Sequence, residues 1–199
     1  RQINSMITNR QFKIYIEKFK EFQSTPNYKL MFSKKWKNFP RISELLQEEN
    51  IEKLTNNDLE VIYSSLPIGQ KNKSKFLSNS LTDIQECLWF LLWEELSYEM
   101  RVWEFLDDMG GYKLLGTDIN FTSGLLSAQH PDLYGLINTS TSKGFKVLGF
   151  TPDFYKNESK AGIFQKNQEA LWELSYISEL NDLFHTHDFL ECLAKKLIT

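Results

Sequence analysis

The chain has 199 residues, of which 41% are hydrophobic and 14% aromatic. This length and composition suffice for one domain with a sizeable core, and they exclude a disordered chain. Only 9 glycines and 5 prolines interrupt the sequence, which favours helices over many short strands. No apolar run approaches the roughly 18 residues that cross a bilayer, so the sequence predicts no membrane-spanning helix.

Charge is distributed unevenly along the chain, although the formal net charge is only −3. Residues 1–41 carry ten lysines and arginines against two glutamates, a local charge of +8. The remaining residues hold 13 basic and 24 acidic groups, a local charge of −11. A basic segment beside an acidic body is typical of a protein that binds anions.

The N-terminal third of the chain is predicted to form helices that are rich in basic and aromatic residues. Apolar residues recur at helical spacing over 9–23, with Asn9 as the N-cap. Pro40 is expected to open a second helix, and Asn56 or Asn57 a third.

A polar segment over residues 67–80 divides the sequence. Its lysines, serines and asparagines favour a loop, and such a long loop suggests a subdomain boundary or a mobile segment. The predicted organisation is therefore a basic and aromatic helical segment over 1–66, the polar loop, and a helical core over 81–199.

Four helices are predicted in this core outside residues 110–150, and that stretch is expected to add a short apolar helix and a helix that ends in Leu148-Gly149. The pattern over 82–94 is apolar on most sides and indicates a central helix, whereas 97–109 is amphipathic. A long helix is expected over 159–181, and the last helix over 188–197.

The whole pattern predicts a mainly α, multi-helix single domain of about ten helices. It leaves open one minor β hairpin, within residues 112–122 or 145–155. The chain begins without Met and without an apolar signal segment, so we expect a cytoplasmic protein and a piece of a longer one.

Two polar stretches within residues 110–150 have the composition of phosphate-binding loops, because helix N-termini offer unpaired N–H groups to anions. The predicted contacts in the first are Lys113, Gly116, Thr117 and Asn120. Those in the second, where a helix begins, are Asn138, Ser140, Thr141 and Lys143. The alternative is that Asn138 and the Thr/Ser run only cap that helix.

The order of parts in this stretch resembles the helix-hairpin-helix DNA glycosylases, which have a hairpin, a helix, a loop with an essential Asp, and a helix ending in Leu-Gly. The resemblance implies a helical DNA-binding fold. The chain departs from the pattern at Asp118, where the glycine that should follow Gly116 by two residues is expected, and at Asn138, where the catalytic Asp would fall. Because an amide cannot act as a carboxylate base, we expect DNA binding without base excision.

A second resemblance covers roughly half of the chain. It is carried by Leu125-Leu126, His130-Pro131-Asp132-Leu133-Tyr134, Asn138, Leu148-Gly149, Phe164-Gln165 and Leu171. This string is similar to helical domains that precede the ATPases or nucleases of restriction and phage-defence systems. The resemblance implies a module that selects DNA, often by its modification, for a fused or associated ATPase or nuclease.

Residues 28–41 interleave basic and aromatic side chains. The basic groups would neutralise phosphates, and an aromatic ring could stack on an unpaired or extruded base. The predicted contacts here are Lys29, Lys34, Lys35, Trp36, Lys37 and Arg41. Reversing Lys34, Lys35 and Lys37 to Glu is predicted to weaken binding to all sequences. The alternative is that the aromatics belong to the core and the lysines to its solvated flank.

Signatures of enzymatic chemistry are not found in the sequence. It contains no GxxxxGK[ST], GxGxxG or GxSxG motif. His185 and His187 invite a zinc site, but residues two apart on a helix diverge, and a helix start at Thr186 or His187 is the simpler interpretation. We therefore predict no metal, no cofactor and no catalytic residue.

The function predicted from these features is non-catalytic binding of nucleic acid, specifically duplex DNA, within a restriction or anti-phage defence complex. Two alternatives stay open. One is a helical protein-interaction domain whose basic face docks an acidic partner or a sister subunit, and the other is a helix-hairpin-helix-type DNA glycosylase.

Overall fold

The structure is a computed structural model that describes residues 7–180 and 182–199. All regular secondary structure in these residues is helical, which confirms the predicted mainly α fold. The helices are α1 (Asn9–Gln23), α2 (Pro26–Trp36), α3 (Phe39–Leu45), α4 (Glu48–Ile51), α5 (Asn56–Ser65), α6 (Lys73–Leu77), α7 (Leu81–Trp93), α8 (Tyr98–Leu106), α9 (Ile119–Gln129), α10 (Thr139–Leu148), α11 (Lys160–Ser178) and α12 (Leu183–Ala194). Neither stretch considered for a β hairpin forms a strand.

Side-chain caps fix where several helices begin. Thr8, rather than Asn9, caps α1 by accepting the backbone N–H of Gln11 at 3.2 Å. Thr25 caps α2, whose first residue is Pro26, a position where the missing proline N–H costs nothing. Thr55 and Asp58 cap α5 reciprocally, so this helix begins where the sequence predicts.

The C-terminal helix begins earlier than its pattern suggests. α12 covers Leu183–Ala194, with Asp182 as its N-cap, whereas the prediction began the helix at about residue 188. The predicted start at Thr186 or His187 is therefore wrong, and both residues lie inside a helix that is buried over most of its length. The predicted end of the preceding helix, residue 181, lies outside the described residues.

The segment predicted as a polar loop contains a short helix and a core residue. α6 lies within it, and the Phe76 side chain is fully buried between Tyr63 and Phe121, with ring centroids at 5.4 and 4.8 Å. Phe76 and Leu77 stand among polar residues in the sequence, so the composition of the segment does not indicate this buried residue. The segment is thus fixed to α5 and α9.

The N-terminal helices share one hydrophobic core with the rest of the chain. Phe19 of α1 packs on Phe189 of α12 with centroids 5.4 Å apart, and Trp36 of α2 packs on Phe184 at 4.6 Å. α9 and α12 supply the centre, because most residues of each are buried. Residues 7–66 therefore form part of the same core as residues 81–199.

The closest helix packing in the core is between α10 and α12. A Cβ atom placed on Gly144 would lie 2.6 Å from the Leu190 carbonyl oxygen and 2.8 Å from the Leu190 Cα. Only glycine allows the two backbones to approach this closely. The contact holds the start of α10 beside the buried polar residues of α12, which are described below.

Candidate nucleic-acid interface and the buried polar network beneath it

The first three helices carry a set of exposed basic side chains, which we call the basic surface. Its members are Arg10, Lys13, Lys18, Lys20, Lys29, Lys34, Lys37 and Arg41, all exposed. Among the residues that the structure describes, only Arg41 of this set forms an ion pair, with exposed Glu44 at 3.1 Å. Arg1, another basic residue of the N-terminal stretch, lies outside the described residues.

The periodicity of α2 separates its basic residues from its aromatic ones. Lys29, Lys34 and Lys37 are exposed, whereas Tyr28 and Trp36 are both 5% exposed. Since residues three and four apart share a helix face, the apolar positions turn toward α12 and the lysines toward solvent. The interpretation that the aromatics are core and the lysines their solvated flank thus describes this helix.

Two residues predicted as DNA contacts are internal. The Trp36 ring packs against Phe39 and Phe184, so it is not available to stack on a base. The Lys35 side chain is only 6% exposed, and its ammonium forms an ion pair with Asp188 at 2.7 Å. Both predictions are corrected, because the burial of a charge requires a partner and α12 supplies one.

Asp188 is the centre of this buried network. Its side chain is fully buried and accepts hydrogen bonds from the Tyr28 hydroxyl at 2.9 Å, the Lys35 ammonium at 2.7 Å and the Trp36 indole N–H at 3.1 Å. Burial raises the pKa of Asp188, while the Lys35 charge and the three donors oppose that rise. Burial, with the Asp188 charge, also raises the pKa of Tyr28. Three residues of α2 are thus fastened to one carboxylate of α12.

His187 extends the network to α10. Its Nδ1 lies 2.6 Å from the Lys35 ammonium, which can only donate, so the ring hydrogen is on Nε2. Nε2–H points at Asn138 Oδ1 and Thr141 Oγ1, both at 3.1 Å. Burial and the neighbouring Lys35 charge lower the pKa of His187 well below its ordinary value. This imidazole is therefore a neutral bridge between α2 and α10.

The second predicted phosphate loop is used largely for capping. Asn138 accepts the backbone N–H groups of Ser140 and Thr141, and its amide donates to the Pro67 carbonyl at 2.9 Å. Thr141 is fully buried and completes the capping box of α10. The predicted phosphate contact of Thr141 is therefore corrected to a structural role. Asn138 has the capping role that the sequence offered as the alternative. Lys143 is exposed, and Ser140 is partly exposed.

The first predicted phosphate loop packs against the segment around α6. Gly116 has a φ of 76°, and a Cβ atom there would lie 2.4 Å from the Phe76 backbone nitrogen. Thr117 is buried and donates to the Leu114 carbonyl at 2.9 Å, so this predicted contact is corrected as well. Gly116 is partly exposed, and its predicted contact stays a prediction. Lys113 binds the exposed Asp108 carboxylate at 2.7 Å, and Asn120 is partly buried in the first turn of α9.

The network on α12 was not predicted from the sequence as a structural centre. Its signal is a group of polar residues, His185 to Asp188, inside the apolar run from Leu183 to Leu193. Charged and polar residues that interrupt an otherwise buried helix require partners. Sequence alone does not say which residues those partners are, because Lys35 lies 153 positions away.

Comparisons with known proteins add no relative: no protein-family model, curated protein or solved structure matches the chain. Over the described residues, no His, Cys, Asp and Glu side chains group in a way that could hold a metal ion. No helix in the same residues has the length and apolar character needed to cross a membrane.

Proposed function

We propose that this chain binds nucleic acid, duplex DNA in the first instance, through the basic surface of α1 to α3. The observation that carries the proposal is the set of exposed lysines and arginines on these helices, of which only Arg41 is paired within the described residues. Such side chains neutralise phosphates and release counterions, which is the main source of affinity in non-specific binding.

The arrangement of α1 and α2 favours a continuous surface. The two helices are separated by a single turn, and Tyr28 packs on Phe19 and Phe22 with centroids 5.7 and 5.8 Å away. The two helices therefore form one packed pair, and both carry exposed basic side chains. Lys35 holds α2 on α12 through its ion pair with Asp188, so its role in binding is to position Lys34 and Lys37.

The proposed binding is non-catalytic and does not use an inserted aromatic residue of α2. Trp36 is internal. The Asn138 side-chain oxygen caps α10, and its amide nitrogen donates to the Pro67 carbonyl. We propose further that the chain is the targeting module of a restriction or defence assembly with an ATPase or nuclease partner. That role is supported by the resemblance of the string from Leu125 to Leu171 to such domains.

The test is fluorescence anisotropy of the purified chain with short duplexes, unmodified and with modified cytosine or adenine, at several salt concentrations. The variant Lys29→Glu/Lys34→Glu/Lys37→Glu is compared with Lys53→Glu/Lys146→Glu/Lys156→Glu, which reverses three other exposed lysines and changes the net charge equally. Lys35 is left unchanged, because its reversal would bury a glutamate against Asp188.

Wild-type affinity is expected to fall steeply with salt, with a log–log slope of about −0.9 per phosphate contact. The α2 variant should bind all duplexes more weakly and reduce that slope by about one per lysine, while the control variant keeps the wild-type slope. Equal weakening in both variants, or no binding at low salt, would overturn the proposal. A preference among modified duplexes would support the role as a modification reader.

A further inference from the structure

The solvent side of α11 presents aromatic rings that the described chain leaves uncovered. Trp172 is 38% exposed and Tyr176 is 85% exposed, and they lie four residues apart on one helix face. Leu133, 47% exposed, lies beside them, because the Trp172 indole N–H donates to the Leu133 carbonyl at 2.6 Å. This hydrogen bond fixes the tryptophan before any partner arrives.

Carboxylates surround these apolar side chains. Asp132 and Glu179 line the same groove of about 900 Å³ as Trp172 and Tyr176, and Glu169 lies one turn before Trp172. All three carboxylates are exposed, and none forms an ion pair with another described residue. We call this set the acidic face; its members are Asp132, Leu133, Glu169, Trp172, Tyr176 and Glu179.

The complementary pattern lies on α2 of the same chain. Leu30 is 57% exposed, and Lys34 and Lys37 follow it at four and seven residues, so the three share one helix face. Lys29 lies beside them. These four residues, which we call the basic stripe, offer one apolar side chain among three cations, where the acidic face offers apolar side chains among three carboxylates.

We propose that the acidic face of one molecule binds the basic stripe of a second copy of this chain. Burial of Trp172, Tyr176 and Leu30 would supply affinity, because aromatic anchors dominate protein interfaces. The opposite charges around them would set orientation and speed association. The proposal does not depend on nucleic-acid binding, but it shares the basic stripe with it, so DNA and a second copy compete for α2.

The test is the weight-average mass of the full chain by sedimentation, over a range of concentrations at low salt. The acidic-face variant is Asp132→Lys/Glu169→Lys/Glu179→Lys, and the basic-stripe variant is Lys29→Glu/Lys34→Glu/Lys37→Glu. Each variant alone carries two faces of the same charge, whereas a mixture pairs the unchanged basic stripe of one variant with the unchanged acidic face of the other, and pairs their two reversed faces with opposite charges. Circular dichroism checks that both variants fold.

The contact joins two different surfaces, so a bound pair still has a free acidic face and a free basic stripe. The mass of the wild type is therefore expected to rise above that of the monomer with concentration, each variant to stay monomeric, and the equimolar mixture to associate again. A wild type that stays monomeric, association that persists in both variants, or a mixture that fails to associate would overturn the proposal. The acidic-face variant keeps every basic-surface residue and should still bind DNA. Its anisotropy therefore separates failure of this proposal from failure of the proposed function.

Discussion

Lys35 shows how one residue of a basic segment can serve the core instead of the surface. Its neighbours Lys34 and Lys37 are exposed, whereas its own ammonium lies within 2.7 Å of Asp188 and 2.6 Å of the His187 Nδ1. A buried ion pair is costly to break, because removing one partner leaves the other charge without compensation. The same residue type thus has two energetic roles within three positions of α2.

We expect Lys35→Met to lower the free energy of unfolding by about 3–5 kcal/mol, since the buried Asp188 would then have to stay charged without a counter-ion or take up a proton on folding. Urea unfolding followed by circular dichroism measures this loss. The matched control, Lys34→Met, changes an exposed side chain and should stay within about 0.5 kcal/mol of the wild type. The double variant Lys35→Met/Asp188→Asn should lose less than the sum of the two single variants, and simple additivity would contradict the coupling.

The buried imidazole predicts a pH dependence of stability. Because the pKa of His187 is lowered in the folded protein, the stability that neutral His187 contributes is fully present above about 6.5, the pKa of a histidine in the unfolded chain. As pH falls below that value, the unfolded chain binds a proton that the folded chain excludes. The free energy of unfolding should then fall by up to about 1.4 kcal/mol per pH unit until the folded pKa is reached.

Urea unfolding of the wild type and His187→Gln is compared between about pH 8 and pH 5.5, the range in which a histidine of the unfolded chain takes up its proton. Other groups contribute to both curves: burial also lowers the pKa of His130, and it raises that of Asp188. The difference between the two curves therefore carries the prediction. The free energy of unfolding should fall more steeply toward acid in the wild type than in His187→Gln. Parallel curves would show that groups other than His187 cause the pH dependence.

At the scale of elements, the pair α10 and α12 decides the position of the network. Gly144 lets the two backbones meet at Leu190, and this approach places Asn138 and Thr141 within 3.1 Å of the His187 Nε2. The neighbouring helix α2 is attached to the same place on α12 through Lys35 and Trp36. Three helices from distant parts of the sequence therefore meet at His187 and Asp188 of α12.

Gly144→Ala is expected to destabilise the fold by about 1–3 kcal/mol, because the added methyl group would collide with the Leu190 backbone. This loss opposes and exceeds the gain of about 1 kcal/mol that alanine brings to an exposed helix position. Thermal unfolding compares the variant with Gly69→Ala, where a Cβ atom meets nothing within 4 Å. A Gly144→Ala protein as stable as this control would contradict the close packing.

At the scale of the whole molecule, the charge changes sign along the sequence at a point that the hydrophobic core crosses without a break. The excess of basic residues ends near Arg41, and the polar segment 67–80 suggests a second division of the chain. The hydrophobic core crosses both, since Phe19 packs on Phe189 and Phe76 on Phe121. The basic and acidic parts of the chain therefore share one hydrophobic core.

One cooperative unfolding transition is therefore expected for the whole chain. Urea curves from far-ultraviolet circular dichroism and from tryptophan fluorescence should coincide, because the helices on both sides of segment 67–80 share one core. A fragment that begins at Leu81 should fail to fold alone, since it would expose the surfaces that Phe19 and Trp36 cover. Two separate transitions would instead support independent subdomains.

The sequence by itself determined the helical class, most helix positions and the charge asymmetry. These properties depend on local spacing and composition: the periodicity over 9–23 and the apolar run at 82–94 are each visible within a few turns. The same local reasoning placed the lysines of α2 in solvent and interpreted the 138–143 run as a phosphate loop. The predicted exposure is confirmed for Lys34 and Lys37, because it follows from the periodicity of their own helix, and it is wrong for Lys35.

The tertiary structure alone decided which polar residues are internal. His187 lies 152 positions from Lys35 and 49 positions from Asn138, and it contacts both. Composition cannot anticipate such pairs, because a buried charge is tolerated only where folding brings a partner to it. The physical reason is that exposure is a property of the packed molecule, whereas helix formation is largely a property of the local chain.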